Sequence, residues 1–488
     1  MKRLTDILPL VHSSQIIGDA ATQVTSITFD SREVEKGNVF VAIKGTLADG
    51  HQFINKAIEK GAGAIVCENF PEKMQEGIVW IKVDDSHAAL GMMASAWFDN
   101  PSESLTLIGV TGTNGKTTIV TLLYQLFESM GYPVGLISTV INRVHDKTFN
   151  ATRTTPDPIQ INRLLAKMVE GGCSHCFMEV SSHAIEQKRI EGLHFNGGIF
   201  TNITHDHLDY HGDFKEYLKV KKIFFDQLPA QAFALTNADE KNGKIVLQNC
   251  KAQQHAYSLQ GRGDFNAQIL EHEFTGLKMM INGTEFYTPL FGIFNASNLM
   301  AVYAAACLLG TDELETLQHL SVLRGAPGRF EIHLSPIEKV VGIVDYAHTP
   351  DALKNVLNTI EQVCSGSEQI ITVTGCGGDR DKTKRPLMAR VSAGLSTRTI
   401  FTSDNPRSED PMDILHDMKQ ELDPVLKARC ISISDRGEAI QTAVSLANAG
   451  DIVLLAGKGH EDYQEIKGKK IHFSDKEVLL DAFKKLNK

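Results

Sequence analysis

The segment 107–118, LIGVTGTNGKTT, constrains the fold more than any other part of this 488-residue chain. An apolar run typical of a buried strand passes through a glycine-rich turn into Lys116 and Thr117. The residues that follow, IVTLLYQLFESM, carry apolar side chains at helical spacing, which predicts a helix directly after the turn. The pattern therefore predicts an α/β unit in which this turn lies where a strand meets a helix.

The turn has the composition of a phosphate-binding loop. Gly112 and Gly115 allow backbone N–H groups to face an anion, Lys116 supplies a positive charge, and Thr117 offers a hydroxyl group to magnesium. Val110 stands where a strict Walker A motif has its first glycine. An ordinary glycine turn with a surface lysine is the alternative, but the flanking strand and helix favour a nucleotide site.

Charge and composition exclude several classes of protein. The chain has 49 Lys and Arg against 59 Asp and Glu, and its net charge of −10 argues against binding to nucleic acid or to an anionic membrane surface. The N-terminal apolar stretch is short and contains Asp6 and Pro9, so we expect no signal peptide and no membrane span. We expect a cytoplasmic protein and a monomer.

The eight cysteines are too sparse for a disulfide framework and are expected to be reduced. Cys173 and Cys176 form a lone C-x-x-C, but a zinc site needs a second pair and a redox motif needs a thioredoxin-like context. We therefore predict that both are small apolar residues at the start of a strand.

Alternating strand and helix patterns predict three domains. Residues 1–100 resemble a small α/β unit, 101–327 a mostly parallel sheet covered by helices, and 328–488 a doubly wound α/β unit. The linkers are expected at Pro101 and the polar residues after it, and at the cluster RGAPGRFE, 324–331. Hinges are predicted near 101–104 and 324–330.

Potential metal ligands are dense between 179 and 221. They are Glu179, His183, His205, Asp206, His207, Asp209, His211 and Lys221. Carboxylate and imidazole groups suit magnesium only if phosphate or water oxygens complete its shell, which the phosphate loop would bring. Any single histidine here is by itself more often a structural core or surface residue, and it is the cluster as a whole that favours a metal site. A zinc hydrolase is the competing chemistry, but no H-E-x-x-H spacing is present.

The loops of the third unit carry arginines and carboxylates. Arg380, Arg385 and Arg407 are predicted to clamp carboxylates, and Asp404 and Glu461 to hold an ammonium group. A zwitterionic amino acid with more than one carboxylate fits this combination. The alternative is that SDNPRSED, 403–410, is only a helix entry, with Ser403 or Asp404 capping the chain before the helix that begins at Pro411, although capping does not explain Arg407.

Taken together, these motifs resemble the Mur ligase family of peptidoglycan synthesis over essentially the whole chain. The resemblance is carried by FDSR (29–32), TGTNGKTT (111–118), TTPDP (154–158), MEVSSHAIEQKR (178–189), TNITHDHLDYHGD (201–213), GIFNASN (292–298), DYAHTPDAL (345–353), GCGGDRDKTKRP (375–386), DNPR (404–407) and GKGHE (457–461). It implies a UDP-binding first domain, a central ATP-binding domain and a Rossmann-like C-terminal domain that binds an amino acid.

The resemblance also implies an activity: ATP-dependent addition of meso-diaminopimelate to UDP-N-acetylmuramoyl-alanyl-glutamate through an acyl phosphate. The implied catalytic residues are Lys116, Lys221 and His207. The implied ATP-binding residues are Gly112, Thr113, Asn114, Gly115, Lys116, Thr117, Thr118, Asn295, Asn298, Arg329, Asp345 and His348.

Two further ligand sets are implied by the same resemblance. The UDP-dipeptide set is Ser31, Thr154, Thr155, Ser181, Gln187 and Arg189, and the diaminopimelate set is Arg380, Asp404, Asn405, Pro406, Arg407, Gly457 and Glu461. The implied Mg²⁺ ligands are Thr117, Glu179, His207 and Lys221, with Lys221 as a carbamate (N6-carboxylysine). Arg407 favours diaminopimelate over lysine, because facing an aliphatic ammonium it would be unpaired and repelled.

Two rival functions remain. The first is another amide ligase of the same architecture, either lysine-adding or similar to folylpolyglutamate synthetase. The second is a P-loop switch that binds nucleotide without making a product. GTPase switches read the base with N-K-x-D, and TNADE at 236–240 has neither the lysine nor the spacing.

Overall fold

The computed structural model of the chain describes residues 1–8, 11–45, 48–151, 153–204, 213–364 and 366–488. Within these residues the strands form three main sheets, whose strands lie between 13 and 83, between 106 and 288, and between 331 and 456. Helices cover the sheets. The predicted α/β architecture in three units is confirmed. The domain limits at 100 and 327 remain a prediction with which this division of the strands agrees.

The first sheet is small, and its inner strands are buried on both faces. Its strands, in spatial order, are Ser13–Ile17, Val79–Val83, Ala64–Cys67, Val39–Val41 and Ile27–Thr28, of which the first is antiparallel to its neighbour and the others are parallel. Val39 and Val41 belong to one apolar cluster and Phe40 to another. This alternation is expected of a strand covered on both sides. The helices are Leu4–Ile7, Ile54–Glu59 and Ser86–Trp97, with a 3-10 turn at Gly50–Phe53.

The central sheet is parallel in its middle. Its parallel strands, in spatial order, are Val134–Ile137, His175–Glu179, Thr106–Thr111, Gly197–Phe200, Phe233–Asn237 and Gln253–Ser258. The helices of this unit are Lys116–Ser129, Pro158–Glu170, Ser182–Glu186, Phe214–Asp226, Gly243–Val246, Ile293–Leu308 and Glu313–Leu320. The predicted strand–turn–helix is therefore present, with Thr106–Thr111 in the interior of the sheet and its helix beginning at Lys116.

Both ends of the central sheet are antiparallel, which the sequence analysis did not predict. The hairpin Ile141–Val144 and Lys147–Asn150 extends one end. At the other end Phe265–Glu273 is parallel to Gln253–Ser258, and Gly276–Ile281 and Thr284–Thr288 follow it in antiparallel pairing. Lys147–Asn150 has no buried position, and Phe265–Glu273 and Thr284–Thr288 mix buried with exposed positions, so these strands lack the continuous apolar runs by which the parallel strands were recognised.

The third sheet is parallel except at one edge. Its strands, in spatial order, are Glu331–Leu334, Val341–Asp345, Ile452–Ala456, Ile370–Thr374, Arg398–Phe401 and Cys430–Ser432, of which only the first is antiparallel to its neighbour. The helices are Pro350–Glu361, Lys384–Leu395, Pro411–Lys419, Pro424–Lys427, Arg436–Leu446 and Asp475–Lys485. A hairpin, Tyr463–Ile466 with Lys469–His472, follows the last parallel strand. The doubly wound prediction is confirmed, although the hairpin was not predicted.

The joint between the second linker and the turn 457–461 of the third unit is formed by backbone. Gly328 lies in the predicted second linker, has a φ of +66°, and a β-carbon there would overlap the backbone nitrogen of His460. Conversely, a β-carbon on Gly459 would lie 2.6 Å from the carbonyl oxygen of Gly328. The joint therefore requires glycine on both sides. In the described ranges, no helix has the length and apolarity that crossing a bilayer requires.

The C-x-x-C pair is buried as predicted. Cys173 and Cys176 are both free thiols with little or no exposed surface, and Cys176 belongs to the strand His175–Glu179. Burial raises the pKa of both thiols. Both therefore stay protonated and apolar at neutral pH, as packing residues do.

Candidate functional site

The phosphate loop is closed by contacts that only glycine permits. Gly112 has a φ of +148°, and a β-carbon there would overlap the hydroxyl group of Thr201. Gly115 has a φ of +90°, and a β-carbon there would lie 2.6 Å from the Asn298 side-chain oxygen. Positive φ and close approach together explain both glycines.

The neighbouring strand end anchors the loop. Asn202 accepts a hydrogen bond from the backbone N–H of Asn114 at 2.9 Å, and the Thr201 hydroxyl donates to the Asn114 carbonyl at 2.6 Å. The Thr113 N–H donates to the Asn202 carbonyl at 2.9 Å. Thr201 and Asn202 directly follow the strand Gly197–Phe200, which pairs with Thr106–Thr111. This anchoring role was not predicted, although the position of TNIT after an apolar run was a usable signal.

Two lysine ammonium groups converge on one carbonyl of the loop. Lys116 Nζ donates to the carbonyl oxygens of Gly112 and Thr113 at 2.9 and 2.8 Å. Lys221 Nζ also donates to Gly112 at 2.9 Å and lies 4.6 Å from the centre of the Tyr217 ring. Lys221 is fully buried in the helix Phe214–Asp226. The loop therefore concentrates positive charge, as an anion site requires.

Glu179 lies at the end of the strand next to the loop. It pairs in register with Val110, is completely buried, and accepts hydrogen bonds from the backbone N–H and the hydroxyl group of Thr139 at 2.7 and 3.2 Å. Thr117 is also buried, and its hydroxyl accepts a hydrogen bond from Arg329 at 3.3 Å.

These donors fit a magnesium ion that takes further oxygens from phosphate and water. Glu179 and Thr117 offer hard oxygen atoms, which Mg²⁺ prefers, and Mg²⁺ is commonly bound through few protein ligands. No group of three or more His, Cys, Asp or Glu side chains with the arrangement of a metal site occurs among the described residues. The predicted ligand His207 and its neighbours His205, Asp206, Asp209 and His211 lie outside the described residues, whereas His183 lies in the helix Ser182–Glu186.

Five of the six residues predicted for the UDP-dipeptide belong to one hydrogen-bond network with Glu179, either directly or through a neighbouring residue. The Thr155 hydroxyl donates to the Glu179 carbonyl at 2.8 Å, and Thr154 accepts from the Thr139 hydroxyl at 3.1 Å. The remaining contacts are Ser181 N–H to the Thr155 hydroxyl at 3.1 Å, Arg189 to the Thr155 carbonyl at 2.7 Å, and Arg189 to the Gln187 side-chain oxygen at 2.7 Å. Ser31, in the first unit, is buried but does not take part in these described bonds.

The residues predicted for the rest of the nucleotide connect the second and third units. Asn298 donates to Asn295 at 3.2 Å, on the helix that faces Gly115. Arg329 donates to the Thr117 hydroxyl, and its guanidinium group lies 4.5 Å from the centre of the Tyr346 ring. In the sequence, Tyr346 lies between Asp345 and His348. His348 follows the same strand end, with Nδ1 2.9 Å from the Tyr346 carbonyl oxygen. Asn298 and Arg329 thus approach the phosphate loop and the helix that follows it, while Asp345 and His348 lie at the strand end next to Tyr346.

Asp345 is a buried acid at this junction. Its carboxylate accepts a hydrogen bond from the Phe330 N–H at 2.7 Å. Burial raises the pKa of Asp345 from 3.8 to about 6, against the opposing effects of Arg329 and the N–H groups of Phe330 and Ala347. Between pH 3.8 and about 6, the Asp345 carboxyl group is therefore protonated in the folded protein but ionised in the unfolded chain.

We expect the stability contributed by this protonation to be complete below pH 3.8 and to be lost as the pH rises through about 6. Replacing Asp345 by Asn removes the titration while its amide oxygen can still accept the Phe330 N–H. The free energy of unfolding of the wild type minus that of Asp345→Asn should fall by up to about 3 kcal/mol between pH 4 and 7. Urea titrations at a series of pH values measure this difference, and a pH-independent difference would contradict the prediction.

Most of the residues predicted to bind the amino acid form one cluster at the strand ends of the third sheet. Asn405 donates to Glu461 at 2.8 Å, and a β-carbon on Gly457 would lie 2.8 Å from the Asp404 carboxylate. Arg407 has a φ of +52° and donates to the Gly378 carbonyl at 2.6 Å. Pro406 packs against Gly378, and Arg380 is exposed on the same glycine loop.

A buried lysine completes this cluster and was not predicted. Lys458 has no exposed surface, and its ammonium group lies 3.0 Å from a Glu461 carboxylate oxygen and 3.4 Å from the Asn405 side-chain oxygen. It therefore neutralises Glu461 and fixes its orientation. A lysine within GKGHE has no sequence signal that separates this role from that of a surface lysine.

The prediction that Arg385 clamps a ligand carboxylate is wrong. Arg385 is completely buried and donates to Glu409 at 2.8 Å and to Asp417 at 2.7 Å. Glu409 in turn accepts the Asp379 N–H at 2.6 Å. Arg385 therefore fastens the loop that carries Arg407 to the glycine loop 377–380. The helix-capping alternative for 403–410 is correct about the helix but wrong about the cap: Asp410, rather than Ser403 or Asp404, caps the helix Pro411–Lys419.

Comparisons with known proteins agree with this arrangement. The chain matches the Mur ligase family, catalytic domain, over residues 23–98, the Mur ligase middle domain over 110–306, and the Mur ligase, glutamate ligase domain, over 328–459. A relative from Phocaeicola vulgatus named UDP-N-acetylmuramoyl-L-alanyl-D-glutamate–2,6-diaminopimelate ligase is 54% identical over 99% of both chains. A relative of the same name from Chlorobaculum tepidum is 40% identical over 96% of this chain and 94% of its own.

A solved structure described by the same name is 31% identical, covers 100% of both chains and has a TM-score of 0.70. Sequence and structure thus agree along the whole length rather than in one domain. The chain belongs to the Mur ligase family.

Proposed function

We propose that this protein is an ATP-dependent ligase that joins diaminopimelate to UDP-N-acetylmuramoyl-L-alanyl-D-glutamate. The names of its relatives support this substrate pair. The observation that carries the proposal is the connection between Glu179, at the phosphate loop, and Thr155, in the predicted dipeptide set, by a 2.8 Å hydrogen bond. A carboxyl group bound by the second set would thereby lie next to phosphates bound by the first.

The proposed reaction has two steps. A carboxylate oxygen of the D-glutamate residue attacks the γ-phosphorus of ATP, which forms the acyl phosphate and releases ADP. The amine of diaminopimelate then attacks the acyl carbon, the C–O bond to phosphate breaks, and the amine proton is lost as the amide forms. Orientation contributes most of the rate, because effective molarities on the order of 10⁵ M are available to well-placed reactants.

The residues of this chain have separate roles in the proposed reaction. Lys116 would move from the Gly112 and Thr113 carbonyls onto the phosphates, where its charge stabilises the transferring group. The loop N–H groups other than those of Thr113 and Asn114, which donate to Asn202, would face the same oxygens. Thr117, Glu179 and the predicted ligand His207 would hold Mg²⁺, which supplies positive charge to the phosphates when bound.

Lys221 is proposed to act as a carbamate. Its neutral amine forms a bond to the carbon of CO₂ and loses a proton, which leaves an anionic oxygen pair in place of a cation. An ammonium group so close to Lys116 and to a bound cation would be repelled, because both lysines lie 2.9 Å from the same carbonyl oxygen. An anion at this position would instead attract the metal.

The third unit is proposed to select the amino acid. Asp404 and Glu461 would hold the ammonium group at the far end of diaminopimelate, with Asn405 and Gly457 beside them, and Arg407 would pair with its carboxylate. A lysine substrate lacks that carboxylate, so Arg407 would gain no partner from it and would keep only its contacts with Glu465 at 3.7 Å and the Gly378 carbonyl. Arg385 and Glu409 contribute indirectly, because they hold the loop from which Arg407 extends.

We expect Arg407→Ala to weaken diaminopimelate binding by about 2–4 kcal/mol, since one charge-assisted contact is lost. Isothermal titration of diaminopimelate into enzyme saturated with a nonhydrolysable nucleotide and UDP-dipeptide measures this change. Arg390→Ala is the matched control, because Arg390 forms only an exposed ion pair with Glu421 on the same unit. Equal affinities of wild type and Arg407→Ala would remove Arg407 from the site.

A ligation assay tests the proposed function. Purified enzyme is incubated with ATP, UDP-dipeptide and either diaminopimelate, lysine or glutamate, and the nucleotide-linked product is identified by mass. Product with diaminopimelate alone supports the proposal. Faster turnover with lysine or glutamate would assign the chain to another ligase specificity. Phosphate release that is independent of dipeptide and amino acid would instead support a nucleotide switch.

A further inference from the structure

The third unit contains a fully buried ion pair to which the proposed reaction gives no role. Arg436 and Asp475 are the first residues of the helices Arg436–Leu446 and Asp475–Lys485. Arg436 Nε and Nη2 each donate to an Asp475 carboxylate oxygen at 2.7 Å, and neither side chain is exposed. Burying two charges carries a large desolvation cost that apolar residues would avoid, so stability alone is a weak reason for the pair.

Arg436 also contacts the base of the amino-acid site. Its Nη2 donates to the carbonyl oxygen of Ala456 at 3.1 Å. Ala456 ends the strand Ile452–Ala456 and directly precedes Gly457, whose N–H donates to the Asp345 carbonyl at 3.0 Å. The ion pair therefore fixes the point from which the turn 457–461 leaves the sheet.

The charge of Arg436 acts on both carboxylates of that site. Burial lowers the pKa of Arg436, but Asp475, and after it Asp404 and Glu461, produce a net rise. Arg436 Nη1 is buried and has no hydrogen-bond partner in the part of the chain that the structure describes. Lys458 contacts Glu461 from the other side. From within the protein, Arg436 therefore adds a second positive charge that acts on Glu461 beside Lys458, and one that acts on Asp404.

We propose that Arg436, oriented by Asp475, is a positioning residue of the amino-acid site. It holds the strand end at Ala456 and places positive charge behind Asp404 and Glu461, so that both carboxylates stay directed at the ammonium group of the substrate. This inference rests on the proposed function and deepens it, because it assigns part of the affinity for the amino acid to a pair that does not touch it.

The test uses a double variant, Arg436→Met with Asp475→Leu, which removes both charges and leaves none buried alone. We expect the KM for diaminopimelate to rise at least tenfold, while the KM values for ATP and UDP-dipeptide stay within twofold of wild type. Arg436→Lys, which keeps the charge but loses the two-pronged contact with Asp475, should give an intermediate KM for diaminopimelate. If the double variant does not fold, Arg436→Lys alone is the test: the KM for diaminopimelate should rise while the KM values for ATP and UDP-dipeptide stay within twofold of wild type.

The control is Leu479→Ala. Leu479 is fully buried on the helix that begins at Asp475, so its truncation loosens that helix without changing any charge. An unchanged KM for diaminopimelate in the double variant, or an equal rise in Leu479→Ala, would overturn the inference. Wild-type enzyme is assayed first: if it does not ligate diaminopimelate, the proposed function fails and the inference fails with it, whereas an active wild type isolates the test of Arg436.

Discussion

Lys116→Ala is expected to lower kcat by on the order of 10³-fold or more, which corresponds to about 4 kcal/mol of lost transition-state stabilisation. The Lys116 ammonium group is the mobile positive charge of the phosphate loop, held by two carbonyl oxygens of the loop itself in the ligand-free protein. Its removal leaves the charge on the transferring phosphate without that partner. Coupled-enzyme measurement of ADP release at saturating substrates gives kcat directly.

The same variant should keep its fold. Lys116 donates to two carbonyls of its own loop, and the helix it begins is held by Ile119, Leu122 and Leu123 in the core. We expect melting temperatures within a few degrees of wild type. Lys147→Ala, an exposed lysine of the edge hairpin, is the control for loss of one positive charge. Turnover near the wild-type rate in Lys116→Ala would refute the assignment of the loop.

Lys221→Ala is expected to be inactive and to regain part of its activity when acetate or formate is added to the buffer. The truncated side chain leaves space in a buried position, and a small carboxylate bound there restores the anionic oxygens of the proposed carbamate. Ligation rates are measured against carboxylate concentration. Chloride at equal ionic strength shows whether rescue depends on the carboxyl group.

Lys219→Ala is the matched control for this second variant. Lys219 lies on the same helix, two residues before Lys221, but it is exposed and paired with Glu216. Its replacement should leave ligation unchanged, with or without added carboxylate. Full activity of Lys221→Ala without carboxylate would show that the carbamate is unnecessary. A restored rate that chloride reproduces would show that ionic strength alone accounts for rescue.

The parallel strands of this fold could be predicted because their burial on both faces produces continuous apolar runs, such as LTLIGV before the phosphate loop. The edge strands could not be predicted in this way. Lys147–Asn150 and Thr284–Thr288 keep one or both faces exposed, so polar and apolar residues are mixed along them. Tertiary pairing, rather than local composition, makes these segments strands.

In the candidate site too, residues defined by local sequence could be predicted, whereas residues defined by tertiary contacts could not. Residues that lie within a compact motif, such as Gly112, Gly115 and Lys116, were predicted because the motif itself describes their geometry. Arg385 was misassigned because its partners, Glu409 and Asp417, are distant in sequence and come close only when two helices pack. Lys458 and Arg436 were missed for the related reason that burial of a cation is visible only in the folded chain.

The glycine pair at the second linker also decides how closely that linker can approach the third unit. With no β-carbon at Gly328 or Gly459, the linker rests main chain against main chain on the turn 457–461. Arg329 and His460 are the immediate neighbours of this contact, so a single methyl group at either glycine would push the linker and the turn apart. The separation between linker and turn is thus independent of any side-chain rotamer.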